Sequence, residues 1–469
     1  MSETETMFAL LRQRADPEVA AAIERTVRDA PDRKLCRINA IAFAAAERLD
    51  EERVLAGFLH ASNIGLFELS WNVLCPGCGG VLDASASLKT VHSEAYSCSL
   101  CAAGYEPTLD EMVEATFTVS PRVRRIAAHH PQDLSPVEYY RQLYFGSHLD
   151  VGDDFDELFE KISLEALELP AGEKAVFALQ LPAEFLIVFD PVTHTAQFLD
   201  VKGEPTRERQ SLTVIFDQSQ AQMQAVELRP GPLRITFENR TGMRVLPSLF
   251  VAGHDMHDFM QKRGPIVTAK RLLSNQTFRD IYRTDTLDVD QRLKITSLTF
   301  LFTDLRGSTE LYERVGDLAA FDLVRAHFRV LNEIVAAEAG AVVKTIGDAV
   351  MATFPSPDRA MAAAIRMRAA MRDLNAERGR EDLLLKIGIH EGPCIAVNLN
   401  DRQDYFGQTV NIASRVQGLA TARDIFATDS VVGDERTSGL LGRSGLVPVA
   451  QSAALRGIAN AVNIYAIPG

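Results

Sequence analysis

The sequence of 469 residues predicts a multidomain α+β protein, because three segments with different residue patterns follow one another. Apolar residues recur at helical spacing through residues 17–70. Short β-rich runs broken by Pro, Gly, Asn and Asp occupy residues 182–251. From residue 298 onward, predicted strands alternate with longer helices, which is typical of a layered α+β fold. The chain is too long for one core, so we expect about two to four domains.

Composition and charge favour a globular cytoplasmic protein. Apolar residues make up 46% and charged residues 24% of the chain, which is typical of globular proteins. A net charge of −14 disfavours non-specific attraction to nucleic acid and to anionic lipid. The N-terminal stretch lacks the apolar segment of a signal peptide, and no window of about 18 apolar residues predicts a membrane span. We therefore expect a cytoplasmic protein with no nucleic-acid partner and no membrane span.

The first predicted domain, residues 1–70, is helical. Apolar residues recur at helical spacing in VAAAIERTV, INAIAFAAAERL and VLAGFLHASNIGLFEL. These runs predict three or more helices that pack on each other, with Cys36 among them as a small buried apolar residue.

The second predicted domain, residues 71–115, contains two Cys-x-x-Cys pairs separated by nineteen residues. Each pair can form a tight turn that directs both sulfurs at one ion, and the spacing matches a four-thiolate zinc ribbon. Four thiolates leave no open coordination position, so the predicted Zn²⁺ is structural. Two reduced or disulfide-bonded pairs are the alternative. The predicted ligands are Cys75, Cys78, Cys98 and Cys101.

A β-rich domain is predicted over residues 116–253. Runs such as EFLIVFD, TAQFLDV, SLTVIFD and LRITFEN are separated by turn residues, which is typical of a small sandwich or barrel. The stretch ENRTG predicts a hairpin turn between two of these strands. We expect this domain to act as a sensor or as a scaffold that holds a dimer.

Residues 254–294 are predicted to link the β-rich domain to the C-terminal domain. Their helical and polar character is clearest in TAKRLLSNQTFRDIYR. His254 and His257 in HDMHD suggest a metal pair, but a solvated helix or turn is the favoured interpretation.

The C-terminal domain, residues 295–469, places two aspartates at the ends of neighbouring strands. Asp304 follows the strand SLTFLFT, and Asp348 lies at the Gly347 turn of a predicted hairpin, AVVKTIGDAVMATF. Two carboxylates placed in this way can bind a pair of Mg²⁺ or Mn²⁺ ions, which clamp the attacking and leaving oxygens of a phosphoryl transfer. Either residue alone is interpreted as a turn cap. The later run LLLKIGIHEGPCIA predicts a strand pair or hairpin.

Two further pairs of polar residues accompany the aspartates. Asn411 and Arg415 lie four residues apart, on one face of a predicted helix. Lys344 precedes Asp348 by four residues, and Asp404 precedes Asn411 by seven. Taken singly, the lysine and the Asn–Arg pair are interpreted as solvated surface residues.

Three stretches of this domain, LTFLFTDLRGST, VVKTIGDAVMATF and DYFGQTVNIASRV, resemble the signature motifs of class III nucleotidyl cyclases. The resemblance covers residues 295–469, and the motifs occur in the family's order. It implies a ferredoxin-like α/β domain that makes a 3′,5′-cyclic nucleotide from a nucleoside triphosphate. It also implies a homodimer, because metal-binding and base-binding residues of one site come from different subunits in this family. The N-terminal region resembles an uncharacterised region found before some bacterial cyclase domains.

The resemblance implies a role for each polar residue. Asp304 and Asp348 bind two metals, Lys344 and Asp404 read the base, Asn411 orients the ribose, Arg415 meets the α-phosphate, and Arg456 in ALRG grips the triphosphate.

An ammonium and a carboxylate match the acceptor N1 and the exocyclic amine of adenine, so we expect an adenylate cyclase that converts ATP to cyclic AMP and pyrophosphate. A guanylate cyclase and a non-catalytic nucleotide-sensing module are the alternatives. The N-terminal domains are expected to regulate activity, in response to an unidentified small molecule or protein.

Overall fold

The structure is a computed structural model that describes residues 2–92, 95–149, 151–152, 154–217, 224–282, 293–399, 402–421, 423–453, 455, 458 and 462–468. The chain divides into two units. The first comprises Met1–Ala86, Thr90–Pro107 and Met112–Val267, and the second comprises Ser87–Lys89, Thr108–Glu111 and Thr268–Gly469. The sequence-based division into five domains is finer than these units and stays a prediction.

Four helices open the first unit, and three of them lie within residues 17–70, where the apolar spacing predicts three or more helices. They are α1 (Glu3–Arg14), α2 (Pro17–Asp29), α3 (Ala40–Glu47) and α4 (Glu51–Ile64). The side chains of Asp16, Asn39 and Asp50 accept hydrogen bonds from backbone N–H groups at the starts of α2, α3 and α4, which satisfies donors that a helix leaves free. The chain leaves α4 at Gly65, whose φ of 95° is the left-handed conformation that glycine adopts readily.

Five strands follow these helices. They are β1 (Phe67–Leu74), β2 (Val81–Ser85), β3 (Tyr96–Cys98), β4 (Ala103–Tyr105) and β5 (Val113–Val119). One antiparallel sheet has the order β2-β1-β5, and β3 pairs with β4 in a separate ribbon. Phe58 of α4 contacts Phe67 and Phe117 at ring-centroid distances of 5.3 and 5.1 Å. The helices therefore pack on this sheet through aromatic side chains.

Two sheets with a shared apolar core complete the first unit. The elements are α5 (Pro136–Tyr139), α6 (Phe155–Ile162), β6 (Ser163–Ala166), β7 (Lys174–Leu181), β8 (Phe185–Asp190), β9 (Thr195–Val201), β10 (Gln210–Phe216), β11 (Val226–Leu228), β12 (Gly231–Asn239), β13 (Ser248–Val251) and α7 (His254–Gln261). The sheet orders are β10-β12-β7 and β11-β9-β8-β13-β6. Phe216 and Phe237 from one sheet and Leu186 and Leu199 from the other lie in one buried cluster. The β-rich domain is thus a two-sheet sandwich.

The hairpin turn predicted at ENRTG is wrong, because β12 and β13 lie in different sheets. Asn239 is buried, and its side-chain amide donates to the carbonyl oxygens of Leu169, Pro170 and Met243 at 3.0, 2.9 and 2.8 Å. These bonds fix a loop that passes between two sheets, and a two-residue turn would not allow that passage.

The second unit is built on one mixed sheet. Its elements are α8 (Ala269–Leu273), α9 (Gln276–Ile281), β14 (Leu293–Leu305), α10 (Ser308–Val315), α11 (Asp317–Ala337), β15 (Ala341–Ile346), β16 (Ala349–Phe354), α12 (Pro357–Arg378), β17 (Leu385–Leu399), β18 (Arg402–Phe406), α13 (Gln408–Leu419), β19 (Ile425–Thr428), α14 (Asp429–Val432), α15 (Glu435–Arg443), β20 (Val449–Ala453) and β21 (Val462–Ile467). The order is β15-β16-β14-β17-β19-β21-β20, and β18 pairs with β17. The pair β17–β19 is parallel.

Helices α11 and α12 cover one face of this sheet. Leu331 of α11 and Met367 of α12 are fully buried in one cluster with Leu301 of β14 and Ile389 of β17. This layer packs against β14, whose end carries Asp304. Across the described part of the chain, no helix combines the length and apolarity that crossing a bilayer requires.

Residues 385–396 of the run LLLKIGIHEGPCIA lie in one strand, β17, so the predicted strand pair or hairpin is wrong. β17 pairs with β14 along its length, and the register shifts between Ile295 and Leu298 of β14. Pro393 of β17 lies opposite this shift. Proline has no backbone N–H to donate to a ladder, and a bulge in the partner strand accommodates it without ending the strand.

The bulge in β14 is held by a segment from far earlier in the chain. The Asp110 carboxylate accepts hydrogen bonds from the backbone N–H of Thr296 at 3.0 Å and of Ser297 at 3.1 Å. The backbone N–H of Leu109 donates to the carbonyl oxygen of Lys294 at 3.0 Å. Residues Thr108–Glu111 are therefore part of the second unit.

Candidate active site

The two aspartates predicted to bind metals lie at the same end of paired strands. β14 and β16 are antiparallel, with Thr303 opposite Val350. Asp304 follows Thr303 at the end of β14, where Asp348 lies just before β16. Gly347, with a φ of 64°, begins the tight turn between β15 and β16 that presents Asp348.

The two carboxylates repel each other, and the backbone N–H of Leu305 and the charge of Lys386 offset this only in part at Asp304. Burial raises the pKa of Asp304, and the negative charge of Asp348 raises it further. The Oδ2 atom of Asp348 is buried, and no described residue donates a hydrogen bond to it. A buried carboxylate oxygen without a donor costs free energy, whereas carboxylate oxygens are the ligands that Mg²⁺ and Mn²⁺ prefer. The pair therefore fits divalent cations.

His327 of α11 adds no positive charge to this pair. It is fully buried, and burial lowers its pKa to about 4 although the charge of Asp348 opposes the shift. Neither ring nitrogen has a hydrogen-bond partner among the described residues. The ring is therefore neutral near pH 7 and adds no charge beside that of Lys386, which lowers the pKa of Asp304.

Lys344 and Asp404, the predicted base-reading pair, meet across two strands. The Nζ of Lys344 on β15 donates to the Oδ2 of Asp404 on β18 at 2.6 Å. The lysine side chain is 42% exposed and the aspartate side chain 11% exposed, and the Oδ1 of Asp404 also accepts from the backbone N–H of Tyr405 at 2.9 Å. An ammonium beside a carboxylate can meet an acceptor and a donor on one edge of a purine.

Arg279 of α9 supports this pair through the backbone, and it was missed by sequence reasoning. Its guanidinium Nη2 donates to the carbonyl oxygens of Val343 at 3.3 Å and Gln403 at 3.1 Å, one residue before Lys344 and Asp404 respectively. One side chain thus joins the two strands that carry the pair. A contact to backbone carbonyls leaves no motif in the sequence, so only the fold could reveal it.

Asn411 and Arg415 lie on one face of α13, as predicted. Asn411 is exposed and Arg415 is half-buried, with the Nη1 of Arg415 buried and without a partner among the described residues. The helix lies close to β17 because Gly388 has no side chain, since a Cβ there would come within 2.2 Å of the Gln417 nitrogen. Arg456, predicted to grip the triphosphate, lies outside the described residues.

The four predicted zinc ligands converge in the first unit. The sulfurs of Cys75, Cys78, Cys98 and Cys101 all lie within 4.8 Å of one another. The distances from Cys75 to Cys101 and from Cys78 to Cys98 are 3.6 and 3.7 Å, so each sulfur of one Cys-x-x-Cys pair faces a sulfur of the other. Contacts among the four sulfurs lower the pKa of Cys75 and Cys78 and raise the pKa of Cys98 and Cys101. The thiolate is the form of cysteine that binds Zn²⁺.

Glycines shape the turn at the first cysteine pair. The backbone N–H of Gly79 donates to the Cys75 carbonyl at 2.9 Å, and the N–H of Cys75 donates to the Gly80 carbonyl at 2.8 Å. A Cβ at Gly77 would lie 2.8 Å from the Cys101 sulfur. The arrangement of four close sulfurs on two tight turns fits one tetrahedral Zn²⁺.

His254 and His257 lie on the short helix α7. The sequence suggests either a metal pair or a solvated helix here. The Nδ1 of His254 lies 2.9 Å from a carboxylate oxygen of Asp258, and the Nδ1 of His257 lies 2.9 Å from the carbonyl oxygen of Gly253. Both histidines are exposed. Among the described residues, only the four cysteines form a group of three or more metal-binding side chains.

Two family models cover most of the chain. Residues 1–280 match a family of unknown function, DUF5939. Residues 291–438 match the adenylate and guanylate cyclase catalytic domain. The second match includes Asp304, Asp348 and the residues of the Lys344–Asp404 and Asn411–Arg415 pairs.

The curated relatives are similar to the C-terminal part of the chain. An "Adenylate cyclase" of Anabaena cylindrica is 31% identical over 185 residues, which is 36% of this chain and 36% of that protein. "Adenylate cyclase 2" of Rhizobium meliloti is 34% identical over 132 residues, which is 26% of this chain and 36% of that protein. The chain thus spans about a third of the length of these relatives.

Solved structures match the same part of the chain. The adenylyl cyclase CyaB from P. aeruginosa has 25% identity and a TM-score of 0.33, with 38% of this chain and 96% of that chain covered. The guanylyl cyclase Cya2 has 20% identity and a TM-score of 0.34, with 38% and 92% covered. On the family matches, the chain belongs to the DUF5939 family over residues 1–280 and carries an adenylate and guanylate cyclase catalytic domain of class III over residues 291–438.

Proposed function

We propose that this protein is an adenylate cyclase that converts ATP to 3′,5′-cyclic AMP and pyrophosphate at sites shared between two copies of the chain. The observation that carries the proposal is the ion pair of Lys344 and Asp404, with its 2.6 Å contact, in a catalytic domain whose remaining site residues are intact. We propose further that the DUF5939 region regulates the activity in response to an unidentified small molecule or protein.

Each site residue has a task in this reaction. Asp304 and Asp348 hold Mg²⁺ or Mn²⁺, which when bound favours ionisation of the ribose 3′-hydroxyl and neutralises charge on pyrophosphate. Asn411 orients the ribose so that its hydroxyl lies in line with the α-phosphorus. Arg415 donates to the α-phosphate oxygens as negative charge grows there. Arg456 is proposed to bind the triphosphate.

Adenine is the base that fits Lys344 and Asp404. Adenine presents an acceptor at N1 beside the donor of its exocyclic amine, and the ammonium and carboxylate complement both groups. Guanine presents a donor and an acceptor in the reverse order, so each would face a like partner. A mismatch of this kind costs about 1–3 kcal/mol for each unsatisfied group, which supports a preference for ATP.

A shared site agrees with the exposed apolar side chains near these residues. Ile346 is 56% exposed and Phe406 is 51% exposed, and they lie two residues from Lys344 and Asp404 respectively. Large apolar side chains beside polar binding residues are typical of a protein interface. A second copy of the chain would cover them and bring its own carboxylates to the base-reading pair.

The test compares ATP and GTP as substrates of the full chain, with Mg²⁺ or Mn²⁺, by chromatographic detection of the cyclic products. We expect cyclic AMP to form with a higher kcat/KM than cyclic GMP. The double variant Lys344→Glu, Asp404→Ser should lose about ten- to a hundredfold in kcat/KM for ATP and gain relative activity with GTP. Arg329→Gln, which makes the same net charge change of −1 at an exposed position of α11, should keep the wild-type preference.

Two results would replace this proposal. Faster cyclisation of GTP by the wild-type chain would make it a guanylate cyclase. Calorimetric binding of ATP without any cyclic product, with either metal, would support a nucleotide-sensing module.

A further inference from the structure

An open cavity of about 600 Å³ lies on the second unit, between the C-terminal half of α12 and the starts of β17 and β19. Its floor is apolar and preformed. Met371, Leu383 and Leu385 are almost fully buried there. The Asn375 side chain donates to the Leu383 carbonyl and accepts from the Leu383 N–H, both at 2.9 Å, so the wall between helix and strand is fixed. The volume is in the range of small-molecule sites, about 300–1,000 Å³.

Four arginines line this cavity, in a chain whose net charge is −14. They are Arg368, Arg372, Arg380 and Arg423. Arg423 lies 3.9 Å from the Glu381 carboxylate. Among the described residues, no carboxylate lies within ion-pair distance of the other three guanidinium groups. The cavity therefore carries an excess of positive charge in an otherwise acidic protein.

Arg368 shows that this charge is not fully satisfied by the fold. Its Nη1 donates to the Ile467 carbonyl at 3.0 Å, but its Nε is buried and has no partner among the described residues. Burial lowers the pKa of Arg368, the charge of Arg372 one helical turn away lowers it further, and Asp424 opposes both effects. Arg368 thus retains a buried N–H donor without a partner among the described residues.

The helix dipole explains only part of this arrangement. Cations at a helix C-terminus are favoured, but the effect is confined to the last turn. Arg368 lies ten residues before the end of α12 at Arg378, and Arg423 belongs to a different segment. The helix dipole therefore does not explain why Arg368 and Arg423 line the same cavity.

We propose that this cavity binds a small anion that carries phosphate or carboxylate groups, at a site that is separate from the nucleotide-cyclising residues. Guanidinium groups bind both kinds of oxyanion through paired N–H donors. The apolar floor would take the carbon part of such a molecule. The anion would join α12 to the loop before β19 through Arg372, Arg380 and Arg423.

The test measures binding of inorganic phosphate and of citrate to the full chain by calorimetry, in buffer without divalent cations. Separate titrations distinguish a phosphate site from a carboxylate site. We expect at least one anion to bind wild type, and Arg372→Gln to weaken that binding by about tenfold or more, because one charge-assisted contact is lost. Arg366→Gln, on the same helix but paired with Glu338, is the matched control and should bind like wild type.

A second variant, Arg380→Gln, removes a cavity arginine that lies outside α12, and it should also weaken binding. It provides the test if circular dichroism shows that Arg372→Gln does not fold. The absence of binding by wild type, or equal binding by Arg372→Gln, Arg380→Gln and Arg366→Gln, would overturn the proposal. Because the assay measures no cyclase activity, its outcome is independent of the proposed function.

Discussion

Glu114 of β5 is a carboxyl group with no access to solvent. It accepts hydrogen bonds from the Asn72 side chain at 3.0 Å and from the Ser147 hydroxyl and N–H at 2.8 and 3.1 Å. Burial raises its pKa, although these donors oppose the shift. The raised pKa means that the native state holds the proton to a higher pH than the unfolded chain does.

The Glu114 carboxyl should therefore make stability fall as pH rises. Between the unfolded pKa, about 4.3, and the raised folded pKa, the native state binds more protons, so each rise in pH removes stability. Glu114→Gln lacks this titration. We expect the free energy of unfolding of the variant, minus that of wild type, to increase by up to about 1.4 kcal/mol per pH unit in this range, and then to level off.

Denaturant unfolding of both proteins from pH 4 to pH 8 measures this difference. Glu111→Gln, three residues earlier and exposed, serves as the control and should give a flat difference. A flat difference for Glu114→Gln as well would mean that the buried carboxyl titrates as it does in the unfolded chain.

Single residues also mark the limit of sequence reasoning about the site. Asp304, Asp348, Lys344, Asp404 and the Asn–Arg pair could be named because they lie inside motifs. The position of Asp304 beside Asp348 follows from the register of β14 with β16 and from the turn of the hairpin at residues 341–354. Their roles in catalysis stay predictions until they are tested. His327 and Arg279 could not be found, because a buried histidine and a carbonyl-binding arginine have no signature.

At the level of elements, α9 is the support of the base-reading strands. Arg279 bonds to both strands, and the Oε1 of Gln276 also accepts from the Val342 N–H at 2.8 Å. The replacement Arg279→Lys keeps the charge but removes the planar group that reaches two carbonyl oxygens. If the proposed function is correct, the ion pair should lose its fixed position and purine selectivity should fall.

We expect Arg279→Lys to raise the KM for ATP about five- to tenfold, with a smaller change in kcat, and to narrow the preference for ATP over GTP. Steady-state kinetics with both nucleotides measure these quantities. Arg329→Lys, the same substitution at an exposed position of α11, should leave them unchanged. A fall in kcat alone, with KM and preference intact, would contradict the positioning role.

The cysteine cluster stabilises an element that has little core of its own. β3 and β4 are three residues each, so a metal is the main candidate for holding them to the turn at Cys75. Atomic emission spectroscopy of the purified protein should show about one zinc per chain. Cys98→Ser should lose the zinc and unfold at a lower temperature. Cys36→Ser, outside the cluster, should retain the zinc. Zinc-free wild-type protein with undiminished stability would favour the reduced-pair alternative.

Helices and strands could be predicted from the sequence where the local residue pattern determines them. They could not be predicted where contacts with residues distant in sequence determine them. The N-terminal helices and the KTIGDAVM hairpin follow from periodicity and turn residues. The prediction failed at residues 238–242, where Asn239 bonds to distant carbonyls, and at Pro393, where a bulge in β14 keeps the strand continuous. In both places a non-local contact overrides the local turn signal.

At the scale of the whole molecule, the proposed site requires two chains. Lys344 and Asp348 lie four residues apart, yet they serve opposite sites in the proposed dimer. A heterodimer of one Asp348→Ala chain and one Arg415→Ala chain would have one site with both defects and one site with neither. We therefore expect both variant homodimers to be inactive and the heterodimer to have about half of wild-type activity.

Two affinity tags on co-expressed chains allow the heterodimer to be purified and assayed for cyclic AMP. Doubly tagged Asp348→Ala homodimer, prepared in the same way, is the control for the purification. A heterodimer as inactive as that control would show that each chain forms its site alone.

The contact of Asp110 with Thr296 and Ser297 has a practical consequence for dissecting the protein. The catalytic unit is not a contiguous stretch of sequence, since the chain contributes residues 87–89 and 108–111 to it before returning at residue 268. A fragment cut at residue 293 would lack Arg279 and would expose the backbone amides that Asp110 satisfies. Low activity of such a truncation would then report a damaged strand, and could not be taken as evidence that the missing region is an activator.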